Sequence, residues 1–391
     1  MRRITVFGAT GSVGESTLDL LARRDDVAVV ALTGGRQVER LAELACIHRA
    51  ELAVTAYEEC YRPLKDALAG TGIEVAAGPG AVVEAAYRPA DWVMSAIVGA
   101  AGLAPGFASL SQGRVVALAN KESLVTAGPL LLAEARAHGA TLLPVDSEHS
   151  AVFQALVGEE IAAVEAVTLT ASGGGLRDWP LEKLAQATVA DAASHPNWAM
   201  GQRFTIDSAS MFNKAMEVIE AREFFGLDAA QIRVLIHPQS LVHALVAFRD
   251  GAVMAHLGSP DMRHPIGYAL NWPQRAELPV ARLDLAAAGR LDFAEPDPRR
   301  YPALRLAQAV MREGGAAGAV FNAAKEIALD HFIDGRIGFL DMAGVVEDTL
   351  SAHDVGGELG TAPKSLQDVL EIDSLARRRA AEVIRARGQA A

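Results

Sequence analysis

The chain has 391 residues, of which 51% are hydrophobic and 21% charged. That length exceeds one simple core and implies two or three domains, and the balance excludes a disordered chain. A net charge of -12 excludes a general nucleic-acid surface, since phosphate backbones need Lys and Arg, although a few local donors would hold a phosphorylated metabolite.

The first apolar run, Ile4 to Phe7, reads as a buried strand. It is too short for a secretory signal, and no later run reaches membrane-spanning length. The expectation is a cytoplasmic protein with neither membrane nor nucleic acid as partner. Glu15 to Arg24 reads as a helix, Val27 to Leu32 as a strand and Val38 to Arg49 as a second helix. Cys46 and Cys60 form no CxxC pair and are read as reduced structural thiols. Further strands are expected at Trp92 to Ala96, Val115 to Ala117 and Thr141 to Val145. Such alternation implies a parallel sheet covered on both faces.

The texture changes after Asp146. A strand from Val164 to Thr170 runs into Ser172-Gly173-Gly174-Gly175. The loop His195-Pro196-Asn197-Trp198 follows, then a helix from about Ser208 to Phe225 and strands near Val234 and Ala252. Leu278 to Pro302 is rich in Pro and charge, and Tyr301 to Arg387 is Ala-rich with helical spacing.

Gly8-Ala9-Thr10-Gly11-Ser12-Val13-Gly14 lies between the first strand and the first helix. Glycines there permit a tight turn and close approach of a pyrophosphate to the helix N-terminus. A plain glycine turn is the alternative. An NAD site usually ends its second strand in Asp or Glu, which bonds the ribose 2'-hydroxyl. Here the strand ends Thr33-Gly34-Gly35-Arg36-Gln37, with no carboxylate and with a base placed to meet a 2'-phosphate. NADPH is therefore expected over NADH; a solvated surface Arg is the competing reading.

Asp146-Ser147-Glu148 follows the strand ending at Val145. Read as extended backbone, with its repeat of two, both carboxylates face one way and would repel unless a hard cation such as Mg2+ or Mn2+ sat between them. Glu217 would complete such a site from the later helix, where Asn213 and Lys214 share its face. Ser208, Asn213 and Lys214 would hold a phosphate or hydroxyls, and Ser172 with its glycines would add donors. A capped helix with a surface Lys-Glu pair is the alternative. Lys121, in Asn120-Lys121-Glu122-Ser123, lies at another strand's C-terminal end, where it would orient substrate or else lie on the surface. His195 to Gly201 has the composition of a lid, or of a surface turn with Trp198 packed inward.

Together these motifs resemble one family, the 1-deoxy-D-xylulose-5-phosphate reductoisomerases. The resemblance rests on GATGSVG at Gly8, AIVGAAGL at Ala96, LANKESLV at Leu118, LPVDSEHSA at Leu143, HPNWAMG at His195, IDSASMFNKAMEVIEA at Ile206 and IHPQSLVHALV at Ile236. It implies an enzyme of the non-mevalonate isoprenoid pathway, with Asp146, Glu148 and Glu217 as ligands for Mg2+, Mn2+ or Co2+. It implies substrate and phosphate contacts from Lys121, Ser147, Ser172, His195, Ser208, Asn213 and Lys214, and a lid aromatic at Trp198. It implies NADPH contacts from Thr10, Gly11, Ser12, Val13, Gly35, Arg36, Gln37, Asn120, Glu122 and Gly201, and a homodimer. The fold class implied is α/β, with a Rossmann-like dinucleotide domain, an α+β catalytic domain and a C-terminal helical domain.

The expected boundaries are 1–146 for the first, 147–277 for the second with a lid near 194–203, 278–300 for a linker and 301–391 for the third. Two positions depart from the family's pattern. Gly175 stands where a Pro often follows Ser-Gly-Gly, and Lys325 stands where Asn often does, apart from the carboxylate site on this reading. A semialdehyde dehydrogenase, the rival with a similar glycine turn, needs a nucleophilic Cys in its catalytic domain, and both cysteines lie before it. A catalytically silent NADP sensor would leave the three acids unexplained.

Overall fold

Ile4, Val6 and Phe7 are apolar residues on alternating faces of one strand, a pattern stable only when both faces are covered. In the computed structural model, which describes residues 1–194, 201–354 and 359–390, this strand lies in the middle of a seven-stranded sheet. The strands are β1 (Arg2–Phe7), β2 (Val27–Gly34), β3 (Leu52–Thr55), β4 (Glu74–Ala77), β5 (Trp92–Ser95), β6 (Val115–Leu118) and β7 (Thr141–Pro144). Their order is β4-β3-β2-β1-β5-β6-β7, and every neighbouring pair is parallel. Winding reverses between β1 and β5, and such a switch point opens a crevice at the strands' C-terminal ends. The expected strands are all present to within two residues, whereas β3 and β4 went unpredicted. Edge strand β4 is nowhere fully buried, so it gives no strong apolar signal.

The chain divides into two compact units. The first comprises Met1–Ser123, Leu131–Ser150 and Asp261–Ala281; the second comprises Leu124–Leu130, Ala151–Pro260 and Arg282–Ala391. The helix Arg263–Asn271 belongs to the first, where Ala269 O accepts from Trp92 Nε1 at 3.1 Å and Asn271 Oδ1 accepts from Arg24 at 2.7 Å.

The second unit holds a mixed sheet of β8 (Val164–Ala171), β9 (Ile232–Ile236), β10 (Val242–Phe248) and β11 (Val253–Leu257) in the order β11-β10-β8-β9. β8 and β9 are parallel; β10 is antiparallel to β8 and β11. The strand expected near Ala252 is thus the second arm of a hairpin. Helices Pro302–Glu313, Ala317–Ile333, Asp341–His353 and Leu366–Ala390 form the helical C-terminal region. Phe321 from this region meets Phe212 with ring centroids 5.9 Å apart.

The helix expected from Ser208 to Phe225 is two helices, Gln202–Ala209 and Phe212–Phe225. Met211, at φ 63°, breaks them. A left-handed backbone at a residue with a Cβ is not visible in hydrophobic periodicity. Among the described residues no helix is long and apolar enough to cross a membrane. Cys46 and Cys60 are both free thiols.

The glycine turn after β1 is held by close approach. Gly8 has φ +82°, and a Cβ there would lie 2.4 Å from Ala96 O after β5. A Cβ on Gly14 would lie 2.2 Å from Gly8 O and 2.7 Å from Ala9 Cα, so the first helix rests directly on the turn. Gly14→Ala is expected to cost about 1–3 kcal/mol by forcing them apart, as overpacked sites do. A urea denaturation midpoint equal to the parent's would contradict this.

Candidate active site

Three strands of the first unit, β6 and β7 side by side and β1 beyond β5, lead into residues at one end of the sheet. β1 leads into Thr10, Gly11, Ser12 and Val13, β6 into Asn120, Lys121 and Glu122, and β7 into Asp146, Ser147 and Glu148. The helix Ser12–Leu21 begins at Gly11 with no side-chain cap, so its first N–H groups are open to an anion. That geometry fits a dinucleotide pyrophosphate. Beside it, Gly35, Arg36 and Gln37 follow β2, and Arg36 is an exposed side chain with Nη1 2.7 Å from Glu59 Oε1.

Asn120 is a buried brace. Its Oδ1 accepts from Ser123 N at 3.0 Å, capping the helix that begins at Lys121. Its Nδ2 donates to Gly99 O at 3.1 Å, to Glu122 Oε2 at 3.0 Å and to Ile97 O. The turn after β6 is thereby tied to the loop after β5.

Lys121 is not a surface residue: it is 7% exposed, and its Nζ lies 2.6 Å from Asp146 Oδ2. Strand adjacency explains the meeting, because Leu118 pairs with Pro144 in register and the two charges lie just beyond.

The backbone after Asp146 is not extended. A helix, Ser147–Ala155, starts immediately, so Ser147 and Glu148 occupy its first turn and Ser147 Oγ donates to Glu148 Oε2. The expected pairing of Asp146 with Glu148 by the strand repeat is corrected to a helix-start arrangement. The relevant spacing becomes i, i+3, which brings His149 to Asp146. A carboxylate oxygen of Asp146 and a ring nitrogen of His149 lie within 4.8 Å, and His149 is fully buried. The sequence reading missed His149 because it applied a period of two where 3.6 holds.

In the second unit, Ser172 follows β8 and is buried. Its Oγ accepts from Gly174 N at 3.1 Å. A Cβ on Gly174 would lie 2.8 Å from Ser208 O, so this loop packs on the end of the Gln202–Ala209 helix, where Ser208 lies. Tyr301 fastens the loop by donating to Gly173 O at 3.0 Å. Burial pushes the Tyr301 phenol up to about 12, so it keeps that proton across ordinary assay conditions. The departure at Gly175 has a local reason, since a Cβ there would lie 2.2 Å from Ser194 O.

Asn213, Lys214 and Glu217 share one face at the start of the Phe212–Phe225 helix. Asn213 Nδ2 donates to Glu217 Oε1 at 2.5 Å, and Lys214 Nζ donates to Glu217 Oε2. Both ends of the Lys214–Glu217 pair are buried, with side chains 3% and 2% exposed, which rejects the surface-pair alternative. Glu220, one turn further, is buried as well and was not foreseen. Buried charges persist only when paired or bound, so these acids supply hard oxygen donors suited to a divalent cation.

Gly201 begins the helix Gln202–Ala209. His195 and Trp198 lie outside the described residues, as does most of the expected lid.

Lys325 is closer to this machinery than the sequence reading allowed. Its Nζ lies 2.8 Å from Asp207 Oδ2, with both side chains 7% exposed, and Asp207 immediately precedes Ser208. Arg203 and Asp330 pair along the same two helices.

Three family descriptions match the chain: 1-deoxy-D-xylulose 5-phosphate reductoisomerase over residues 4–128, its C-terminal domain over 142–225, and DXP reductoisomerase C-terminal domain over 257–379. The 1-deoxy-D-xylulose 5-phosphate reductoisomerase of Ruegeria pomeroyi is 66% identical over 97% of this chain and 96% of its own length. The chain belongs to the 1-deoxy-D-xylulose 5-phosphate reductoisomerase family. It is an enzyme with the family's activity and fold. The reductoisomerase from Zymomonas mobilis in complex with NADPH matches at 47% identity and TM-score 0.91, over 98% of this chain and 99% of that one. A DOX-P reductoisomerase in complex with NADPH, fosmidomycin and magnesium matches at 38% identity and TM-score 0.93, over 98% of both chains.

Lys325→Met is expected to lower stability by about 3–5 kcal/mol, because it strands the buried Asp207 carboxylate. The double variant Asp207→Asn/Lys325→Met should recover much of that loss in the same denaturant titration. Equal stability of the single variant and the parent would refute the role.

Proposed function

We propose that this chain, with NADPH and a divalent metal ion, rearranges and reduces 1-deoxy-D-xylulose 5-phosphate to 2-C-methyl-D-erythritol 4-phosphate. The observation that carries the reading is the pair of buried Lys121 with half-buried Asp146 at the C-terminal ends of neighbouring strands, in the sheet that also carries the glycine turn. Glycines at Gly8, Gly11 and Gly14 fit a dinucleotide, and the oxygen-rich donor set fits Mg2+, Mn2+ or Co2+.

Asp146, Glu148 and Glu217 would hold the metal. When bound, the metal supplies Lewis acidity at the substrate's carbonyl and hydroxyl, and the nicotinamide supplies a hydride. Lys121 holds positive charge beside Asp146, where it orients a substrate hydroxyl. Ser147 contributes a hydroxyl next to Glu148. Ser172, Ser208, Asn213 and Lys214 would bind the phosphate, which is remote from the reacting carbons, so its binding energy serves to position them.

His195 and Trp198 are assigned by resemblance as substrate contact and lid aromatic. Thr10, Gly11, Ser12, Val13, Gly35, Arg36, Gln37, Asn120, Glu122 and Gly201 are assigned to NADPH. The functional division at 146, 277 and 300 and a cytoplasmic location belong to the same reading.

A homodimer is proposed on the character of β11. It is an edge strand, and Val253 and Met254 on it are exposed. Exposed apolar edges are templates for pairing with another chain. Met254→Lys is expected to shift the sedimentation coefficient toward monomer; an unchanged dimer would place the interface elsewhere, and a monomeric parent would remove the proposal.

The activity is tested by following NADPH oxidation with 1-deoxy-D-xylulose 5-phosphate. Chelator should abolish turnover and Mn2+ restore it. Glu217→Gln should lower kcat on the order of 10²-fold or more, the scale of several kcal/mol attributed to metal charge stabilisation. Full turnover in chelator would defeat the metal-dependent reading.

A further inference from the structure

Arg36 does not stand alone beyond the C-terminal end of β2. The turn that carries it is tied to the segment after β3, because Thr55 Oγ1 donates to Gly35 O at 2.9 Å and accepts from Tyr57 N at 3.3 Å. That tie sets Tyr57 beneath Arg36, with the guanidinium carbon 3.9 Å from the ring centroid. Glu59, two residues on, places Oε1 2.7 Å from Arg36 Nη1. The guanidinium is therefore stacked on one face and engaged at its edge by a carboxylate.

We infer that Tyr57 and Glu59 set the enzyme's selectivity for a 2'-phosphorylated dinucleotide. Tyr57 is the platform that keeps the guanidinium flat and aimed, and Glu59 is the resident anion that the 2'-phosphate displaces. This rests on the reading that Arg36 meets the 2'-phosphate.

The chemistry of the three groups supports the assignment. A guanidinium presents a planar fork of donors that matches a carboxylate or a phosphate equally well, so the two anions compete for one geometry. Both side chains of the Arg36–Glu59 pair are 61% exposed. Exposed ion pairs are weak, so Glu59 can be expelled at little cost. Stacking on tyrosine favours a guanidinium held parallel to the ring and survives the exchange of one anion for another. Hydrogen bonding to its own backbone N–H, then to Arg36, holds the Glu59 carboxyl below its ordinary value, so at neutral pH it is a charged competitor. NADH carries no 2'-phosphate and leaves the Arg36–Glu59 pair in place.

The test is direct binding, using the full chain without substrate or metal. NADPH and NADH are titrated separately, and reduced-nicotinamide fluorescence gives each Kd. Glu59→Gln should tighten NADPH about two- to fivefold, the range set by an exposed pair, without tightening NADH. Tyr57→Leu should weaken NADPH by a similar factor with NADH little changed. Glu58→Gln, which removes the same formal charge next door, should leave the ratio of the two constants at the parent value; an equal rise in Glu58→Gln would reduce the Glu59 effect to general charge and overturn the inference. Arg36→Ala should collapse the ratio. If Arg36→Ala collapses it while Glu59→Gln and Tyr57→Leu leave it unchanged, this inference fails and the Arg36 reading stands. If Arg36→Ala itself leaves the ratio unchanged, both fall.

Discussion

Lys121 and Asp146 meet where two parallel strands end, and both side chains are withdrawn from water. Taking two charges out of solvent costs several kcal/mol each, recovered only when the geometry is good. The ends of β6 and β7 therefore cannot drift relative to one another without exposing that cost. Asn120 extends the restraint to the loop after β5 through its bonds to Gly99 and Ile97. Three neighbouring strand ends are thus joined by one polar chain. The start of the Ser147–Ala155 helix, and with it Glu148 and His149, inherits its position from this restraint.

The second unit solves the same problem on helices instead of strands. Lys214 and Glu217 form a buried pair within one helix, and Lys325 and Asp207 form another between two. In each case a lysine neutralises a carboxylate that hydrophobic surroundings would otherwise reject. The contrast with Arg36 and Glu59 is one of magnitude. Buried pairs are expensive to break and serve as fixed struts, while an exposed pair exchanges partners readily and suits a position where a ligand's charge must arrive and leave.

Much of the first sheet was legible because its strands carry apolar residues on both faces and its turns carry glycine. Strand β4 escaped because its position at the sheet edge dilutes the apolar signal. The site was legible as a set of residue types. Its local geometry was misread wherever the backbone changed type. Treating Asp146-Ser147-Glu148 as extended hid His149, and continuing one helix across Met211 merged two helices that set Ser208 and Asn213 on separate elements.

What the chain's order of residues determined alone was the alternation of apolar runs and helices, the glycine turn, the absence of an acid after β2 and the family motifs. These depend on local periodicity and on residue chemistry, both of which are complete within a short window. What tertiary structure decided was burial and partnership. Lys121, Lys214 and Lys325 are written identically in a sequence whether they face water or a carboxylate, and only chain segments distant in number, brought together by packing, determine which. The same holds for Gly175, whose need for a bare Cα comes from Ser194 O, a neighbour that only the folded path of the chain supplies.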